Sequence, residues 1–191
     1  MIVAVDTGGT KTLIASFNTE GKPIKSVRFP TPKNQQDYAK ELLTTLQDSF
    51  SDTPIDALVV AVPGVIRNGV VKWCGNLPWE NFKLLVFLQK HFTCPISIQN
   101  DADLAGLAEA NSIKPVPELC LYLTISTGIG SGVVINGRLT PELSGSEAGH
   151  MMIECDGRIR SWESFASGKA IYTTYQKYAY QISNKHIWNK I

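Results

Sequence analysis

Residues 1–12, Met1-Ile2-Val3-Ala4-Val5-Asp6-Thr7-Gly8-Gly9-Thr10-Lys11-Thr12, decide how the rest of the chain is read. Ile2 to Val5 are a short, mostly β-branched apolar run with the character of a buried strand, and Asp6-Thr7-Gly8-Gly9-Thr10-Lys11 stops it abruptly. A second apolar run, Leu13 to Phe17, resumes at once. Paired glycines let the backbone turn where a Cβ would clash and let a phosphate approach main-chain N–H groups. Thr7, Thr10 and Lys11 add donors and positive charge, and Asp6 sits where a metal carried by the phosphates is held, directly or through water. A plain hairpin turn between two strands is the competing reading. A Walker loop is excluded, because the lysine follows threonine and a strand rather than a helix comes next.

The 191 residues suffice for one large domain or one and a half smaller ones, and 43% hydrophobic content supports a core. Lysine plus arginine number 18 against 17 acidic residues, a balance that argues against nucleic acid or an anionic membrane as the main partner. No stretch approaches the roughly 20 apolar residues of a membrane span, and Met1 leads directly into a strand without a basic leader, so a soluble cytoplasmic protein is expected. Cys74, Cys94, Cys120 and Cys155 are scattered without a Cys-x-x-Cys pair and are read as reduced and mostly buried.

Three antiparallel strands open the chain, the third over Ile24 to Phe29. Asn34 caps a helix running to about Phe50, with Tyr38, Leu42, Leu43 and Leu46 on one face. Ala57 to Val62 then reads as a buried strand parallel to the first, giving a mixed sheet. Asn68-Gly69 marks a hairpin. In the loop Gly75-Asn76-Leu77-Pro78-Trp79, Asn76 offers a donor and an acceptor, and Trp73 and Trp79 offer apolar faces, a mixture suited to a sugar ring or to an ordinary surface loop. Phe82 to Phe92 reads as a second amphipathic helix, followed by a strand at Ile96 to Gln99. That strand delivers Asn100-Asp101 to its carboxyl end, with a helix over Ala102 to Asn111 starting there. Ligands of open α/β sheets collect at such ends, so Asp101 is a candidate general base; a helix cap explains the same pair.

Leu119 to Ile125 is a further apolar strand, broken by Ser126-Thr127-Gly128-Ile129-Gly130-Ser131-Gly132 before another apolar run. Strand, glycine loop and strand thus occur twice, an internal echo of two half-domains facing each other with a phosphate chain between them.

Asp6-Thr7-Gly8-Gly9-Thr10-Lys11, Pro63-Gly64, Gly75 to Trp79, Asn100-Asp101-Ala102, Thr124 to Gly132, Glu147-Ala148-Gly149-His150 and Ala166 to Ile171 occur in the order and approximate spacing of the ROK family, and the chain resembles that family over nearly its whole length. The resemblance implies an α/β, actin-like ATPase (ribonuclease H-like) fold with a mixed sheet flanked by helices. It implies an N-terminal lobe over 1–112 with the phosphate loop and sugar-binding residues, and the start of a second, incomplete lobe over 113–191. The activity implied is that of a glucokinase-type sugar kinase, moving the γ-phosphate of ATP to a hydroxyl of glucose or an N-acetylhexosamine, with Mg²⁺ as cofactor. Asp101 matches the base that takes the hydroxyl proton, a step that relies on positioning and charge stabilisation. Gly64, Asn76, Asn100, Asp101, Glu147, His150 and Glu163 match substrate-binding positions. Gly8, Gly9, Thr10, Thr127 and Gly128 match the two phosphate loops, with Lys11 and Asp6 supplying charge and placing Mg²⁺.

The chain departs from the family pattern in three places. Where many members bind zinc through the histidine matching His150 and three nearby cysteines, residues 151–162 contain Cys155 alone, so no structural zinc is expected and His150 is left as a sugar contact or a satisfied loop histidine. Ser126 and Ser131 stand where the second loop usually has glycine, narrowing backbone freedom there. Family kinases continue for on the order of a hundred residues more, carrying the adenosine side. A non-catalytic sugar-binding protein is therefore the second functional class. A DNA-binding repressor is disfavoured, since family repressors place a helix-turn-helix before the first strand. A homodimer is expected at the family level; the aromatic run Tyr172, Tyr175, Tyr178 and Tyr180 either serves it or is a flank left bare by the missing lobe.

Overall fold

A computed structural model describes residues 1–182. It falls into two compact units, Met1–Leu104 and a second from Ala105 onward. The first unit is built on a five-stranded mixed sheet in the order β3-β2-β1-β4-β8. β1 (Ile2–Thr7) pairs antiparallel with β2 (Lys11–Phe17), which pairs antiparallel with β3 (Pro23–Pro30). Asn34 caps α1 (Gln35–Phe50) through its side chain, which accepts from the N–H groups of Gln36 and Asp37. The chain then re-enters the sheet as β4 (Ala57–Val62), parallel to β1. A small antiparallel sheet follows, β5 (Val65–Arg67), β6 (Val70–Trp73) and β7 (Glu80–Phe82), its first turn made by Asn68 and Gly69 at φ of 50° and 70°. The short α2 (Leu84–Gln89) returns the chain to β8 (Ile96–Asn100), parallel to β4, and α3 (Asp101–Ser112) begins at once. The expected helix over 82–92 is formed only over Leu84–Gln89, and at its start Phe82 pairs with Val71 of β6 instead.

Alternation along β1 and β4 puts Val3, Val5, Thr7, Leu58, Val60 and Val62 on the buried face, where they share the core with Tyr38, Leu42 and Leu46 of α1. Trp79 fills this core completely, its ring centroid 4.5 Å from Tyr38 and 5.6 Å from Phe82. Full burial corrects the expectation that Trp79 offers a face to a sugar; its Nε1 donates to the Lys33 carbonyl at 2.8 Å. Trp73 stays 41% exposed. Cys74 is buried, whereas Cys94, Cys120 and Cys155 are half-buried, and all four are free thiols.

In the second unit β9 (Leu119–Ile125), β10 (Ile129–Ile135) and β11 (Arg138–Leu139) form an antiparallel sheet. The chain continues through a 3₁₀ turn (Ala148–His150), the hairpin β12 (Met152–Cys155) and β13 (Arg158–Ser161), then α4 (Glu163–Ala166) and α5 (Gly168–Tyr175). Among the described residues no helix is long and apolar enough to cross a membrane.

Candidate functional site

The loop between β1 and β2 carries Gly8, Gly9, Thr10 and Lys11, and it closes on itself through a bond from the Gly8 N–H to the Lys11 carbonyl, 3.0 Å. Thr7, just before it, is wholly buried and its hydroxyl lies 2.7 Å from the Tyr38 hydroxyl. Burial pushes that phenol well above its ordinary pKa, and the nearby Asp6 carboxylate adds to the effect. Tyr38 is thus a neutral anchor that fixes the end of β1. Asp6, one position earlier on the alternating strand, faces solvent.

Gly9 joins this loop to the next one. A Cβ on Gly9 would come within 3.1 Å of the Asn76 Cβ, so glycine allows the two loops to touch. Asn76 lies on a pocket of about 370 Å³ lined by residues 73–80, the wholly buried Trp79 forming part of its wall, and within the size range of small-molecule sites. Gly64 supports the same loop from beneath, at φ +109°, where a Cβ would overlap the Trp73 carbonyl oxygen.

Asn100 ties this loop cluster to α3. Its Nδ2 donates to the Gly64 carbonyl at 2.9 Å, and its Oδ1 accepts from the Asp103 N–H at 3.0 Å. The capping role therefore falls to Asn100, which is buried, and leaves the Asp101 carboxylate for other work. The Asp101 Oδ1 accepts from the Ala102 N–H at 2.9 Å. Desolvation by the surrounding protein raises its pKa above the ordinary 3.8, opposed by the Ala102 N–H and reinforced by the charges of Asp6 and Asp103. The first unit thus brings together Asp6, the glycine loop, Asn76, Gly64, Asn100 and Asp101. Asp6 lies close enough to Asp101 for its charge to raise the Asp101 pKa, and both stand at the carboxyl ends of strands of the one sheet.

In the second unit Glu163 approaches the second glycine loop. Its Oε2 accepts from the Ile129 N–H at 3.3 Å, and a Cβ on Gly128 would lie 2.8 Å from the same oxygen. The Thr127 and Ser126 carbonyls accept from Lys169 and Gly168 at the start of α5, at 3.1 and 2.7 Å. Ser131 is a latch rather than a restriction: its buried hydroxyl donates to the Ser146 carbonyl at 2.6 Å and accepts from the Ala148 N–H at 3.1 Å, holding the turn that contains His150. Neither Ser126 nor Ser131 has a positive φ, so serine costs no backbone strain there. His150 is exposed and Glu147 half-buried. Among the described residues no group of three or more His, Cys, Asp and Glu side chains is arranged to hold a metal ion.

Thr31 and Lys33 bond carbonyls of the first glycine loop without any local sequence signal that marks them. The signal is long-range: only the pairing of Lys11 with Pro30 and Thr12 with Phe29 shows that these residues stand beside the loop.

This fold with its two glycine loops defines an α/β protein of the actin-like, sugar-kinase-like class. Residues 2–191 match the ROK family model, and the chain belongs to the ROK family. It is 27% identical to a putative fructokinase of Bacillus subtilis, over 98% of this chain and 68% of that protein. It is 30% identical to a xylose repressor of Bacillus spizizenii, over 88% of this chain and 48% of that one. Glucokinases and N-acetylmannosamine kinases match at similar identity. Among solved structures, an inorganic polyphosphate/ATP-glucomannokinase from Arthrobacter sp. strain KM superimposes with a TM-score of 0.73 at 29% identity, covering 91% of this chain and 70% of that one. The chain spans about half to two-thirds of the length of the curated relatives it matches.

Proposed function

We propose that the protein is a sugar kinase that transfers the γ-phosphate of ATP to a hydroxyl of a hexose, glucose or an N-acetylhexosamine. The observation that carries the reading is that Asn100 takes over the capping of α3, leaving the Asp101 carboxylate at the carboxyl end of β8, the same sheet end as Asp6 and the glycine loop. Asp101 accepts the proton of the attacking hydroxyl. Its raised pKa makes it a better proton acceptor than an ordinary aspartate once ionised. In the first unit Asn76, Asn100 and Gly64 are the sugar contacts and Gly8, Gly9, Thr10 and Lys11 the phosphate loop. In the second unit Glu147, His150 and Glu163 are of sugar-contact type, and Thr127 and Gly128 belong to a phosphate-loop type turn. Mg²⁺, held by Asp6 directly or through water, neutralises charge on the transferring phosphoryl group. The name of the Arthrobacter relative pairs polyphosphate with ATP, so inorganic polyphosphate is the donor to test beside ATP. The working place is the cytoplasm, and the exposed Tyr172, Tyr178 and Tyr180 are the face proposed for a homodimer.

A second reading is a sugar-responsive ROK protein without catalysis, since a xylose repressor is as similar to the chain, at 30% identity, as an N-acetylmannosamine kinase is. A coupled assay of the chain with ATP, Mg²⁺ and a hexose panel separates the two. Hexose phosphate that disappears in Asp101→Asn supports the kinase; calorimetric sugar binding with no phosphorylated product supports the second reading.

A further inference from the structure

Three successive carbonyl oxygens of the first glycine loop are taken by one short segment, Thr31-Pro32-Lys33. The Thr31 hydroxyl donates to the Gly8 carbonyl at 2.8 Å, the Lys33 ammonium to the Gly9 carbonyl at 2.7 Å, and the Thr31 N–H to the Thr10 carbonyl at 3.0 Å. The carbonyl of one residue and the N–H of the next lie in one trans peptide plane and point opposite ways. Tying down these oxygens therefore turns the N–H groups of Gly9, Thr10 and Lys11 away from the segment. The N–H groups of Gly9 and Thr10 take no partner among the described residues.

The segment is itself anchored. Thr12 is wholly buried, and its hydroxyl lies 2.9 Å from that of Thr31. Each hydroxyl has one proton, and Thr31 spends its own on Gly8, so Thr12 donates to Thr31. The Lys33 carbonyl accepts from the indole of the fully buried Trp79, and α1 starts at the Asn34 cap immediately after. The second glycine loop repeats the device within its own unit, where the Ser126 and Thr127 carbonyls are taken by the N–H groups of Gly168 and Lys169.

Resting on the phosphate-loop reading above, we infer that Thr31-Pro32-Lys33 is a positioning strap that orients the Gly9 and Thr10 amides into a preformed cradle for phosphate oxygens. The strap makes its contacts to loop carbonyls, and the ligand meets only the amides it aims. Preorganised donors lose little ordering entropy on binding, which is why the strap matters for affinity.

The test is calorimetric titration of the 191-residue chain with tripolyphosphate, together with amide spectra of Gly9 and Thr10. Thr31→Val removes an uncharged hydroxyl that does not face the ligand; binding weakens about tenfold and the ligand-induced shifts of the two amides shrink. Thr31→Ser, which keeps the hydroxyl, restores both. Lys33→Gln, on an exposed side chain that does not threaten folding, weakens binding and moves the Thr10 amide resonance in the ligand-free protein, which loss of a distant charge does not. Valine and glutamine variants that bind like the wild type, or a serine variant as weak as valine, overturn the strap. A wild-type chain that binds no tripolyphosphate, or whose shifts fall elsewhere, overturns the phosphate-loop reading instead.

Discussion

Asn100→Ala tests the joint between the loop cluster and α3. The side chain is 4% exposed and makes two bonds at once, to the Gly64 carbonyl and from the Asp103 N–H. Loss of the cap costs about 1 kcal/mol. The Gly64 carbonyl, itself buried, is left without its amide donor, which adds about 1–3 kcal/mol. The sum is about 2–4 kcal/mol, a downward shift of the urea midpoint by roughly 1–2 M for a domain of this size. Asn100→Ser separates the two contributions, because a serine oxygen caps the helix and does not reach Gly64; it should recover about 1 kcal/mol of the loss. Urea unfolding followed by tryptophan fluorescence reads the buried Trp79 in the same unit. A shift below about 0.5 kcal/mol for Asn100→Ala would refute the claim that this residue fastens the loops to the helix.

Tyr38→Phe removes the buried hydroxyl pair with Thr7 and lowers stability by about 1–2 kcal/mol in the same assay, with Thr7→Val equivalent within error; strict additivity of the double variant would count against the bond. Gly64→Ala places a Cβ against the Trp73 carbonyl at φ +109° and costs about 3 kcal/mol or more, read as loss of soluble, cooperatively unfolding protein. Because the folded pKa of Asp101 exceeds the ordinary 3.8, the folded chain holds that proton longer than the unfolded one. Its contribution to stability is therefore fully present below the ordinary value and is lost as pH rises through the raised one. The acid limb of kcat/KM falls above 3.8 for the same reason, and Asp6→Asn moves it downward; a limb that stays put excludes Asp6 as a contributor.

Much of the first unit was legible because its signals are local. An apolar run ending in Asp6 to Lys11, an asparagine before an amphipathic stretch and Asn68-Gly69 each specify geometry within a few residues. The structure departs from that reading where a distant partner decides. Phe82 leaves the expected helix because Val71 of β6 is there to pair with, and Trp79 is swallowed by the Tyr38 and Phe82 rings rather than shown to solvent. The pair Asn100-Asp101 illustrates both sides. Sequence placed it at a strand end with two explanations, and the bonds of Asn100 to Gly64 and Asp103 distribute the roles between the two residues. Thr31 and Lys33 were invisible, since their meaning depends on β3 lying beside the loop.

The central claim, that Asp101 takes the proton of a hexose hydroxyl during phosphoryl transfer, is tested most directly by single-turnover transfer from γ-labelled ATP to glucose or N-acetylmannosamine, in wild type and in Asp101→Asn. The account predicts labelled sugar phosphate from the wild type and a rate lower by roughly a hundredfold or more in the variant, with sugar affinity by calorimetry nearly unchanged. Equal transfer rates in the two proteins would contradict it.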